Sequence, residues 1–126
     1  MLRASAILAV LTGATLAILE IRANWGGWQW WPWWLVDFLA AALLIIGAWT
    51  VLRRSVDGRA WLAAGWAFTL GMAWMSLAGN VEAGPGPARN ARLGGAYLLL
   101  VGALVAVSAT GLLMSLLGRT AGQSKK

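Results

Sequence analysis

Cysteine and histidine are both absent from this sequence. Their absence excludes disulfides, thiolate metal centres, cysteine nucleophiles and histidine-ligated haem or zinc. It also removes the commonest general base. Charge is scarce. Only 11% of the 126 residues are Asp, Glu, Lys or Arg, against about 25% in an average globular domain. The acids are Glu20, Asp37, Asp57 and Glu82, so any acid–base chemistry falls to them. Glycine-rich phosphate loops, nucleophile elbows and metal-ligand spacings are missing as well. The sequence therefore leads us to expect no catalytic residue, no metal, no cofactor and no enzyme.

What is abundant is apolar: 60% of the residues are hydrophobic. A soluble fold of this size needs more polar residues to cover its surface. Each spanning helix takes about 20 mostly apolar residues, so four spans and short loops use the whole chain. The expected fold is all-α, a four-helix transmembrane bundle forming a single integral membrane domain over residues 1–126. The apolar runs place the helices at about 4–23, 33–52, 60–78 and 93–117.

The first run also has the outline of a signal peptide, with Thr15-Leu16-Ala17 as a tolerable cleavage site. Ile18-Leu19 carries the apolar run past that site, which favours a retained helix. The second helix opens at Pro32 or Trp33, because proline suits a first turn. After Ala78, the glycines, prolines and asparagines of 79–92 predict a loop.

The net charge is +6. The basic residues are spread over loops and ends rather than along one face, which argues against nucleic acid. Arg3, the turn holding Arg53, Arg54 and Arg59, and the tail from Arg119 to Lys126 all fall on one side of the bundle. The rule for lysine and arginine puts that side, and both termini, in the cytoplasm. Arg53, Arg54 and Arg59 are expected to set topology and meet lipid headgroups. The expected location is the inner (plasma) membrane of a bacterium.

Six of the ten tryptophans lie within ten residues: Trp25, Trp28, Trp30, Trp31, Trp33 and Trp34. Tryptophan favours the membrane interface, and it is also over-represented in binding hot spots. The stretch is thus expected to cap the first hairpin and to offer a docking surface. An acid flanks it on either side. Glu20 continues the small-residue stripe Ala6, Ala9, Gly13, Ala17, and Asp37 shares a face with Ala41 and Ala48. Both acids are expected to face the bundle at similar depth. Arg22 sits about 200° round the helix from Glu20. Intramembrane carboxylates are a default functional hypothesis, so Glu20, Arg22, Asp37 and Arg92 form the candidate ligand or proton site. The competing reading is structural, with the acids paired to Arg22, Arg89 or Arg92.

Small residues also mark the later helices. Ala60, Ala64, Ala67, Gly71 and Ala78 make one stripe on the third helix, expected to pack. The fourth carries two: Gly95, Gly102, Ala106, Ala109, and Ser108, Gly111, Ser115, Gly118. Two small faces predict close contact on two sides. A weak echo between Ala41–Ala48 and Ala96–Ala103, 55 residues apart, raises the question of a duplicated hairpin. The expected partners are the lipid bilayer and either a second copy or other membrane subunits. Two functions fit: an accessory or interaction protein of a membrane complex, or a small oligomeric transporter or channel with a Glu20/Asp37 site.

Overall fold

A computed structural model describes residues 1–25, 31–83 and 95–118. They form four helices: α1 (Leu2–Asn24), α2 (Trp31–Leu52), α3 (Gly58–Ala83) and α4 (Gly95–Leu117). Each is long and apolar enough to cross a membrane. At about 1.5 Å per residue, 22 to 26 residues exceed the hydrocarbon thickness of about 30 Å.

Neighbouring helices run antiparallel in chain order. α1 packs on α2, α2 on α3, and α3 on α4; α1 also touches α4 and, across the centre, α3. α2 and α4 do not meet among the described residues. One end of the bundle carries Arg3 and the Arg53–Arg59 turn. The other carries Glu20, Trp25 and Asp37.

The core is built from small residues and one large one. Ala6, Ala9, Ala41 and Ala48 are buried, so the inward faces of α1 and α2 follow the small-residue stripes. The α2–α3 seam is closer still. A Cβ at Gly47 would stand 2.6 Å from Leu62 Cα, and one at Gly65 would stand 2.9 Å from the Leu43 carbonyl oxygen. In lipid, which offers little hydrophobic drive for helix association, such backbone contact would supply the attraction.

Trp66 fills the centre, fully buried. Its indole N–H donates to Ser5 Oγ at 2.9 Å. Ser5 Oγ in turn donates to the Gly111 carbonyl oxygen at 2.9 Å. A Cβ at Gly111 would lie 2.2 Å from the Trp66 ring, so only glycine lets α4 rest on the indole. One hydrogen-bonded chain thus ties α3, α1 and α4 together. Nearer the arginine end, Gly118 rests against Leu2 and Arg59 donates to the Leu116 carbonyl oxygen. That last contact satisfies a carbonyl that the end of α4 would otherwise leave unpaired.

Three expectations are corrected. The loop after Ala78 begins later, because α3 continues through Gly79 and Asn80 to Ala83. Asn80 Nδ2 donates to the Ser76 carbonyl one turn back, at 2.7 Å. The asparagine therefore supports the helix it was expected to end. Next, the small stripe of α3 does not pack. Ala60, Ala64, Ala67, Gly71 and Ala78 are all exposed, and the seam is made by Leu62, Gly65, Trp66, Thr69 and Ala73 instead. The bulk of Trp66 and the approach at Gly65 set the rotation of the helix. Finally, the hairpin echo fails in space. α2 begins at Trp31 and α4 at Gly95, so the helices are offset by 64 residues rather than 55. The matched letters then fall at different heights.

Of the two small faces on α4, Ser108, Gly111, Ser115 and Gly118 are buried. The other stays open: nothing lies within 4 Å of a Cβ at Gly102, and Ala106 is exposed. The α2–α3 turn closes on a Schellman motif. Arg54 N–H donates to the Val51 carbonyl and Ser55 N–H to the Thr50 carbonyl, with Arg54 at φ 58°. Glycine is usual at that left-handed position, and a residue with a Cβ there costs about 1–2 kcal/mol.

Candidate functional site

Glu20 and Asp37 approach each other from α1 and α2 near the tryptophan end. Their carboxyl groups lie close enough to act on each other electrostatically. Both residues are half-buried. The local reason lies in the helices beneath them. Gly13 lets α1 close on α2, where its Cβ would stand 3.0 Å from the Ala41 carbonyl oxygen. Asp37 lies one turn before Ala41 on α2, and Glu20 lies two turns after Gly13 on α1. The same close seam therefore brings the two acids level.

Among the described residues, the charged group acting on Asp37 is Glu20 and not an arginine. Arg22 is exposed, in the last turn of α1. Arg89 and Arg92 lie outside the described residues. No group of three Asp or Glu side chains able to hold a metal ion occurs among the described residues.

Of the tryptophan cluster, Trp25 is 84% exposed, and Trp34 is half-buried, with its ring edge-on to Phe38 at 5.9 Å between centroids. Trp28 and Trp30 fall outside the described residues, as do the side chains of Trp31 and Trp33. At the other end, the arginines divide. Arg59 is turned to the end of α4. Arg53 lies over the Trp49 ring, 4.2 Å from its centroid. Arg54 is exposed.

Sequence reasoning gave no site role to Ser5, Trp66 or the glycines of the α2–α3 seam. One signal was available for Trp66. A tryptophan in mid-span lies far from the interface belt, and its N–H must find a partner inside the protein. Ser5 offered no comparable signal.

A second feature lies on the outside of the bundle. Ala67, Leu70, Gly71 and Trp74 of α3, with Leu112 of α4, line an apolar groove of about 440 Å³. It runs beside the exposed alanine stripe of α3. No protein-family model matches this chain, and neither any curated protein nor any solved structure shows a significant similarity to it.

Proposed function

We propose that this chain is a non-enzymatic accessory or interaction subunit of a membrane complex. The observation that carries this reading is the uncovered small-residue face of α3, with its adjoining groove. In lipid, small residues allow a second helix to approach closely, and packing rather than hydrophobicity drives association. A face of five small residues with no partner among the described residues is suited to a helix from outside the bundle. The open Gly102/Ala106 face of α4 and the exposed Trp25 extend the surface available to partners.

In this reading both termini and the Arg53–Arg59 turn are cytoplasmic, and the tryptophan stretch faces outward. The membrane is the inner membrane of a bacterium. The test is affinity purification from native membranes with mass spectrometry. Other subunits that co-purify in fixed ratio support the reading, and a chain recovered alone or only as a homodimer counts against it.

The carboxyl pair favours a second reading, a small oligomeric transporter or channel whose proton or ligand site is Glu20 and Asp37. Carboxylates inside a membrane bundle commonly mark ion or proton pathways. Four helices of this length enclose no pathway alone, so this reading needs several subunits. Proteoliposome flux that survives both Glu20→Gln and Asp37→Asn would remove it.

A further inference from the structure

The geometry points to a binding site for the phosphate of an anionic glycerophospholipid at the end of α2, formed by Arg53, Arg54 and the face of Trp49. The inference rests on the membrane reading but not on either function above. Three observations converge on it.

The first is the division of labour among the turn's arginines. Arg59 donates to the Leu116 carbonyl oxygen and is committed to the end of α4. Arg53 and Arg54 are exposed. Asp57, the turn's one carboxylate, is also exposed, and no ion pair ties it to either of them. Both guanidinium groups are therefore available to an anion from outside.

The second is the stacking of Arg53 on Trp49. The guanidinium lies 4.2 Å from the ring centroid, and Trp49 is 55% exposed on the outer surface of α2. Cation–π contact holds the planar fork in one orientation and leaves its N–H edges free to donate. A fixed planar fork matches two oxygens of one phosphate. Arginine that merely marks topology needs no such orientation.

The third is Arg54 itself. It occupies the left-handed position of the Schellman motif at φ 58°, where glycine is unstrained. A cation there is kept against the preference of the backbone, which points to a role for its side chain. The surroundings fit a lipid rather than a dissolved anion. Leu52 and Val56 flank the two arginines, and Val56 is 94% exposed. An apolar side chain at the tip of a charged turn belongs at the boundary between headgroups and acyl chains. The turn thus offers cations to the phosphate, and Trp49, Leu52 and Val56 to the chains below it.

The test uses the full chain reconstituted in phosphatidylcholine vesicles, then extracted and titrated with dioleoyl phosphatidylglycerol against dioleoyl phosphatidylcholine, with bound lipid counted by native mass spectrometry. The wild type is expected to retain the anionic lipid preferentially. Each headgroup-contacting arginine is worth about fivefold in that preference. Arg54→Gly should lower it by about that factor while raising the midpoint of unfolding in phosphatidylcholine, because the turn is relieved of strain. Arg53→Lys should also lower it although charge is unchanged, since the stacked fork is lost. Arg59→Gln should lower stability and leave the preference intact.

Equal losses for all three arginines, with Arg53→Lys silent, would reduce the site to diffuse attraction and overturn the proposal. So would an unchanged preference in Arg54→Gly. Failure of the chain to enter vesicles at all would instead sink the membrane reading on which the site depends.

Discussion

The indole N–H of Trp66 donates to the hydroxyl of Ser5 at 2.9 Å, across 61 residues of chain. Ser5 is the only described partner of that N–H, and both residues are fully buried. Ser5→Ala strands a donor in a dry core, which costs about 1–3 kcal/mol. In a Trp66→Phe background the same change should cost less. Ser108 makes the contrast. Its Oγ is buried with no hydrogen-bond partner among the described residues. Ser108→Ala should therefore be neutral or stabilising. Unfolding in mixed micelles, followed by tryptophan fluorescence, measures all of these.

Gly111 and Gly102 lie on the same helix and should respond in opposite ways to one methyl group. At Gly111 the methyl meets the Trp66 ring, which the bundle holds on all sides. Overpacking of this kind costs about 1–3 kcal/mol. At Gly102 nothing stands within 4 Å. There alanine should stabilise the isolated chain by up to about 1 kcal/mol through helix propensity. The same unfolding assay checks both. Equal destabilisation by the two would contradict the placement of α4.

How much of this could be read from the sequence depends on what fixes each feature. The four helices were legible because continuous apolar runs in Leu2–Arg22, Trp34–Leu52, Gly58–Glu82 and Ala96–Leu117 have little alternative to a helix. The inward faces of α1 and α2 were legible because Gly13 and the alanines lie on one side of each. The face of α3 was not. Small residues suit both a packed seam and a free surface, and the choice was made by Leu62, Gly65 and Trp66. The end of α3 was missed because a side-chain bond from Asn80 to Ser76 outweighed an ordinary breaker signal. At the candidate site, the approach of Glu20 to Asp37 followed from a short connection and matched depth. The Ser5–Trp66–Gly111 junction joins three distant segments, and no local pattern announces it.

Asp37 should trade stability against function. A carboxylate near the centre of a membrane helix costs about 2.5–3.5 kcal/mol for insertion, and less near the interface. Asp37→Leu is therefore expected to raise stability in the bilayer, while Asp37→Asn keeps a hydrogen-bonding group opposite Glu20. If the pair carries proton-coupled flux, Asp37→Leu abolishes that flux in the more stable protein. Loss of stability in Asp37→Leu would show instead that the acid is a structural tie.

The exposed groove offers a separate handle on association. Gly71→Leu adds bulk where a Cβ meets nothing within 4 Å, so the fold of the isolated chain should be unaffected. Co-purification of other subunits from native membranes should fall sharply. Unchanged recovery would move the docking surface away from this groove.

If this chain is a subunit of a membrane complex, the alanine face of α3 is covered by another polypeptide in the membrane. The chain has no cysteine, so Ala64→Cys introduces a single thiol at an exposed position on that face. In native membranes, a short thiol-to-photoprobe reagent attached there should cross-link the chain to another subunit at one defined mass. If that probe labels lipid alone, the face is bare in the membrane and α3 docks no partner there.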